Sequence, residues 1–114
     1  MSIKASTRQV EGAAIVDLSG RITLGEGSST LRETVRDLVS KGQRKILLNL
    51  GDVTYIDSSG IGELVHSYTT VQKQGGQLKL LNLQKKVHDL LQITKLYTVF
   101  EVHTDEAAAM KSFS

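Results

Sequence analysis

Apolar residues along the chain recur with two periods, which predict strands and helices in alternation. Ala14, Val16 and Leu18 alternate with less apolar positions, as in a half-buried strand. The run Lys45–Leu50 is almost continuously apolar, which is typical of a strand inside a parallel sheet. Beyond position 58 the spacing becomes helical, and this apolar stripe consists of Ile61, Leu64, Val65, Tyr68 and Val71.

Turn residues and shorter patterns predict the remaining elements. Glu11-Gly12 predicts a two-residue hairpin turn after a first strand that alternates poorly, so we expect that strand at an edge of the sheet. In the first half of the chain we further expect a loop over 20–27, a helix ending near 41–42 and a link over 51–56. In the second half we expect two strands, over 77–83 and 99–103, with a short helix around 87–91 between them. A closing helix capped by Asp105 follows. Strands that alternate with helices imply right-handed crossovers. The predicted fold class is therefore α/β: a mixed, mainly parallel sheet of about five strands, with an N-terminal antiparallel hairpin and about four helices.

Composition supports one globular domain over residues 1–114. Hydrophobic residues make up 39% of the chain and charged residues 23%, which is ordinary for a protein with a packed core. The absence of cysteine excludes disulfides and thiolate metal sites. A net charge of +2, with basic residues scattered along the chain, argues against nucleic-acid binding. We see no signal-peptide pattern and no apolar run long enough for a membrane, so we expect a cytoplasmic protein.

The segment Asp57-Ser58-Ser59-Gly60-Ile61-Gly62 stands where a buried strand gives way to a helix. The first turn of a helix has unpaired N–H groups and the positive end of the helix dipole. A serine hydroxyl there is well placed to carry a phosphate, although spacing alone also fits a capped turn with no further role. Its place beyond the carboxyl end of a central strand favours a functional site. We expect Gly60 and Gly62 to leave the helix start bare, so that another protein can approach the backbone.

Other candidate sites have simpler interpretations. Asp57 has no acidic or histidine neighbour in sequence, so it is better suited to capping the helix or positioning Ser58 than to binding a metal. The segment 25–30 lacks the glycine and lysine pattern of a phosphate-binding loop. The three histidines match no metal-ligand spacing, and no Gly-x-Ser-x-Gly elbow is present. We therefore predict no metal, no cofactor and no catalytic residue.

The order of elements and the hexapeptide at 57–62 together resemble a STAS domain. More closely, the chain resembles the free-standing bacterial anti-sigma factor antagonists. The residues Leu18-Ser19-Gly20-Arg21-Ile22 are similar to the family's Leu-x-Gly-x-Leu/Ile segment. Leu48-Asn49-Leu50 is similar to the Leu-x-Leu that leads to its Asp-Ser-Ser/Thr-Gly-Leu/Ile-Gly signature. Gly75-Gly76 resembles the turn that precedes its fourth strand.

The resemblance implies a binding switch and not an enzyme. Such proteins capture an anti-sigma factor, often a serine kinase of the GHKL ATPase class, and thereby free a sigma factor. The kinase phosphorylates the motif serine, which by resemblance is Ser58, with Ser59 as second choice, and a serine phosphatase reverses the reaction. The segment from Asp57 to Gly62 is then the partner-binding site. The nucleotide belongs to the kinase, so the resemblance implies no cofactor for this chain.

Some positions depart from the family pattern, and alternatives stay open. Gln84 stands where the family often has proline, Lys95 where it often has glycine, and the loop over 25–29 is unusual, which leaves the identity of the partner open. The alternative function is a STAS-type signalling scaffold that binds a partner without a kinase and phosphatase cycle. A phospho-aspartate receiver would need an acidic pair after its first strand, which the N-terminal hairpin lacks.

Overall fold

The computed structural model describes residues 3–113, which form five strands and four helices around one sheet. The elements are β1 (Ile3–Val10), β2 (Ala13–Ile22), α1 (Glu26–Ser40), β3 (Lys45–Ile56), α2 (Ser58–Lys73), β4 (Gln77–Leu81), α3 (Lys85–Ile93), β5 (Val102–His103) and α4 (Glu106–Ser112). The spatial order of the strands, β1-β2-β3-β4-β5, follows the chain. Only the β1–β2 pair is antiparallel. The predicted fold class and the edge position of β1 are confirmed.

The predicted hairpin turn joins β1 and β2. Val10 pairs with Ala13, which leaves Glu11 and Gly12 as a two-residue loop. Their φ angles of 48° and 83° are both left-handed, as a type I′ turn requires. The twist of this turn matches that of the two strands, so β1 and β2 stay paired up to the turn.

The sheet buries apolar side chains on both of its faces. Ile46 and Leu48 belong to the larger core, where helices α1, α2 and α3 cover the sheet. Leu47 lies in a second, smaller core on the opposite face, where it packs with Ala109 and Phe113 at the C-terminal end of the chain. Because successive strand residues point to opposite faces, coverage of both faces explains the continuous apolar run in β3.

Two central strands are longer than the apolar pattern predicts. β3 continues through Ile56, so the expected link over 51–56 is wrong. β2 likewise extends to Ile22, and its pairing with β3 contains two register shifts, after Asp17 and after Gly20. These irregularities let β2 follow β3 beyond the point where strict alternation ends. As a result Ile22 pairs with Ile56 beside the start of α2.

The last two strands are shorter than expected, and α1 starts earlier. β4 ends at Leu81 because Asn82 has a φ of 59°, which takes the chain out of extended conformation. The N–H of Val99 donates to the carbonyl of Leu96, so these residues form a turn instead of joining β5. α1 begins at Glu26, inside the segment that we expected to be a loop.

The apolar stripe of α2 faces the sheet as predicted. Ile61, Leu64 and Val71 are buried, while Val65 and Tyr68 are half-buried. The helix also buries two polar residues, Glu63 and Ser67, that the apolar pattern does not reveal. Across residues 3–113, every helix is too short or too polar to cross a membrane.

Candidate functional site

Asp57 caps the helix that carries the serine motif. Its backbone is extended, and its Oδ1 accepts a hydrogen bond of 2.9 Å from the N–H of Gly60. The carbonyl of Asp57 accepts the next helical bond, from the N–H of Ile61. This geometry satisfies donors that a helix start otherwise leaves unpaired. The predicted capping role of Asp57 is confirmed.

The second carboxylate oxygen of Asp57 holds a neighbouring loop. The N–H of Leu24, in the loop between β2 and α1, donates to Oδ2 at 3.0 Å. The bonds from Gly60 and then Leu24 hold the pKa of the Asp57 carboxyl below its usual range, because they stabilise the ionised form. One side chain therefore fixes both the start of α2 and the β2–α1 loop. The sequence contains no local signal for this contact.

The two glycines of the motif face different environments. A Cβ on Gly60 would lie 2.1 Å from the carbonyl oxygen of Ile22 and 2.6 Å from Cγ1 of Ile56. We expected Gly60 to leave the start of α2 bare, and this expectation is wrong. Gly60 instead lets α2 pack directly against the ends of β2 and β3. A Cβ on Gly62 would meet no heavy atom within 4 Å. Only Gly62 gives the open approach that the sequence suggested for both.

The remaining motif residues divide between solvent and core. Ser58 is the first residue of α2 and is exposed, whereas Ser59 is half-buried. Ile61 is buried in the main core. The motif thus presents one exposed serine, Ser58, at a helix start whose shape is fixed by buried and capping neighbours.

A groove of about 650 Å³ lies beside Ser58, between the end of β3 and helix α3. Tyr55 and Ser58 form part of one wall, while Lys86, Leu90 and Ile93 form part of the other. The large apolar side chains around it are unusually exposed: 44% for Tyr55 and 78% for Ile93. Lys86, at the exposed start of α3, lies at the rim of the groove.

Leu24 and Arg21 contact two residues of this groove: Leu24 bonds to Asp57, and Arg21 lies against Tyr55. The Leu24 side chain is 79% exposed. The guanidinium of Arg21 lies 5.3 Å from the centre of the Tyr55 ring, which fits a cation–π contact and orients the ring. Apolar periodicity misses these side chains, because Leu24 lies in the β2–α1 loop and Tyr55 and Ile93 lie outside the buried faces of β3 and α3. A signal did exist in the sequence: each is apolar at a position where the pattern expects a polar residue.

Two of the histidines predicted to stand apart are found in contacts with other side chains. Within residues 3–113, no three histidine or acidic side chains lie together in a way that could hold a metal ion. His103 contacts Glu101 at 2.6 Å, and the ring of His88 packs edge-on against Tyr97. His103 and His88 therefore make their contacts on different elements, β5 and α3.

Comparison with known proteins agrees with this geometry. The family model described as the STAS domain matches residues 4–109. The anti-sigma-B factor antagonist of Bacillus subtilis is 34% identical over 102 residues, which cover 90% of this chain and 92% of that protein. An anti-sigma factor antagonist from Mycobacterium paratuberculosis superposes with a TM-score of 0.84 over 98% of this chain and 94% of its own, at 18% identity.

A further structural neighbour is known in a phosphorylated form. This protein, the Bacillus cell fate determinant SpoIIAA, superposes with a TM-score of 0.75 over 97% of this chain and 100% of its own. At 17% identity the likeness shows a shared fold only. The family match and the Bacillus subtilis relative carry more weight, since both extend over nearly the whole chain. The chain therefore belongs to the STAS domain family, among the anti-sigma factor antagonists.

Proposed function

We propose that this chain is a phosphorylation-controlled binding switch. In its unmodified form it captures an anti-sigma factor, which is itself a serine kinase of the GHKL class, and so frees a sigma factor. The observation that carries the proposal is the exposed hydroxyl of Ser58 at the start of α2, beside a groove with exposed apolar walls. The chain acts in the cytoplasm as a regulator without catalytic residues, metal or cofactor.

Ser58 is the proposed phosphoacceptor because a kinase active site can reach it. Its side chain is exposed on the first residue of the helix, while Ser59 is half-buried. A phosphate adds a charge of about −1.5 to −2 near neutral pH. The positive end of the helix dipole stabilises such a charge, so the fold tolerates the modification. A serine phosphatase then restores the binding form.

The same phosphate would oppose binding of the partner. Exposed apolar patches rimmed by polar groups are typical of protein interfaces. Tyr55 and Ile93 line the groove beside Ser58, and the exposed Leu24 is held by Asp57, the residue before Ser58. A partner that covers these side chains must also desolvate the phosphate, which costs free energy unless a cation pairs with it. Each increment of about 1.4 kcal/mol weakens binding tenfold. One phosphate is therefore sufficient to release the partner.

The motif residues have different roles at the proposed interface. Ser58 and Gly62 face outward and contact the partner directly. Asp57 fixes the helix start, and Gly60 and Ile61 anchor it to the core beneath. Ser59 is half-buried, so only part of its surface is available to the partner.

The experiment that tests the proposal combines capture and phosphorylation. Unphosphorylated protein should retain an anti-sigma kinase from the native host, and that kinase with ATP should add one phosphate. Ser58→Ala should abolish the modification, while the matched control Ser59→Ala should keep it. Phosphate on Ser59 alone would contradict the assignment. A captured partner that adds no phosphate would favour the alternative function, a signalling scaffold without the kinase and phosphatase cycle.

A further inference from the structure

Two polar side chains of α2 are buried against α1, away from the serine motif. Glu63 is 7% exposed and Ser67 is 2% exposed. Oε1 of Glu63 accepts a hydrogen bond of 2.9 Å from Nε of Arg32, which joins the two helices. Oε2 of Glu63 and Oγ of Ser67 are also buried, but neither has a hydrogen-bond partner among the described residues. Such burial is costly, so both atoms need a partner.

Both residues line one small cavity between α1 and α2. Its volume is about 20 Å³, and its walls also include Arg32, Arg36 and His66. A cavity needs roughly 10–15 Å³ to hold one water molecule. A space of this size accommodates a single water-sized ligand.

The chemistry of the walls selects among ligands of that size. The carboxylate Oε2 of Glu63 only accepts hydrogen bonds, whereas the hydroxyl of Ser67 both donates and accepts. Arg32 already neutralises the carboxylate and Arg36 adds a second positive charge, which together disfavour a cation. The Glu63 carboxylate in turn disfavours an anion. A neutral molecule that donates and accepts fits these walls.

We propose that the cavity holds one ordered water molecule that bridges Oε2 of Glu63 and Oγ of Ser67. The water donates to the carboxylate and exchanges a second hydrogen bond with the hydroxyl. Together with the hydrogen bond between Arg32 and Glu63, this water links α1 to α2 through polar contacts. Buried waters of this kind are part of the structure and exchange slowly with solvent.

A crystal structure of the unmodified protein that resolves ordered water tests the proposal directly. We expect a density peak at hydrogen-bonding distance, about 2.7–3.0 Å, from both oxygens. The competing arrangement is a rotated Ser67 hydroxyl that donates straight to Glu63, with no peak in the cavity. That result would overturn the proposal.

A solution measurement provides an independent check. Oxygen-17 relaxation dispersion counts long-lived internal waters, and Ser67→Val should lower that count by about one, because the added methyl group fills the cavity. The control is Ser40→Ala, which removes an exposed hydroxyl that bonds only its own helix. Should Ser67→Val fail to fold, Ser67→Ala serves instead, and it should lower or shorten the same signal. An unchanged count in both variants would contradict the water site.

Discussion

The N–H of Leu24 donates a 3.0 Å hydrogen bond to the carboxylate of Asp57, 33 positions away in the sequence. This contact joins an exposed apolar side chain to the helix start that carries the proposed phosphoacceptor. Asp57 is thus more than a cap, since it also sets the position of the β2–α1 loop beside Ser58. Capping and presentation of the surface depend on the same two carboxylate oxygens.

Asp57→Ala should release both the helix start and the loop. We expect a lower thermal midpoint and loss of hydrogen-exchange protection at the amides of Leu24 and Gly60, because both lose their acceptor. Asp57→Asn retains only one acceptor oxygen, so it should lose protection at one of these two amides. Asp105→Ala is the matched control, because Asp105 caps α4 through the N–H of Ala108 in the same way. Protection at Leu24 that survives Asp57→Ala would show that the loop is held by other contacts.

Gly60→Ala and Gly62→Ala form a matched pair. The methyl group on Gly60 would meet the carbonyl oxygen of Ile22 at 2.1 Å, so we expect a loss of about 1–3 kcal/mol in the free energy of unfolding. Gly62 is helical and open, so alanine there should be neutral or stabilising by up to about 1 kcal/mol. Chemical denaturation measures both changes. Equal stabilities of the two variants would contradict the close packing of α2 on β2.

Alanine substitutions at Leu64 and Leu24 should have different effects: the first should lower the free energy of unfolding, and the second should weaken partner binding. Leu64 is fully buried, so Leu64→Ala should cost about 2–5 kcal/mol in the free energy of unfolding. Leu24 is 79% exposed, so Leu24→Ala should change stability by less than about 0.5 kcal/mol. On the proposed function, Leu24→Ala should nevertheless weaken capture of the anti-sigma factor. Unchanged affinity would remove the Leu24 loop from the interface.

The stability of the protein should fall in acid partly through Glu101. Its contacts with His103 and then Lys79 lower the pKa of the Glu101 carboxyl from 4.5 to about 2. Because the folded value is the lower one, this stabilisation is present above about pH 4.5 and is lost as the pH falls toward about 2. Thermal midpoints should therefore fall less steeply over this range in Glu101→Gln than in the parent. The effect should be small, since half of the side chain is exposed and solvent screens it.

Glu33→Gln is the control for the pH series, because it removes an exposed carboxyl from α1. Its midpoints should follow those of the parent at every pH. If Glu101→Gln also follows the parent, the contacts of Glu101 with His103 and Lys79 contribute nothing measurable to the acid dependence.

Ser58→Asp should weaken binding of the partner without lowering the thermal midpoint. A negative charge at the start of α2 suits the helix dipole, so the thermal midpoint should stay unchanged or rise slightly. The same change should weaken binding of the anti-sigma factor tenfold or more, which corresponds to at least about 1.4 kcal/mol. Ser58→Ala should keep binding while resisting inactivation. A joint collapse of melting and affinity would instead indicate a conformational switch, and undiminished binding would leave Ser58 as a simple helix residue.

Local patterns were enough to predict most of the fold. The alternation of Ala14, Val16 and Leu18, the helical stripe from Ile61 to Val71 and the Glu11-Gly12 turn each depend on neighbours within a few positions. Such patterns follow directly from backbone periodicity, so they are visible without tertiary structure. The capping role of Asp57 belongs here too, because its acceptor reaches an N–H only three residues away.

The order of elements, the hairpin and the position of Ser58 at a helix start therefore follow from the sequence alone. The folded structure was required to show that Asp57 also holds Leu24, that Gly60 packs against Ile22, and that Glu63 and Ser67 are buried together. It also showed that β3 continues to Ile56, where its partner β2 follows it through irregular pairing. Each of these features depends on groups from different elements meeting in space. Periodicity along one segment describes which face is buried, but it carries no information on what that face meets.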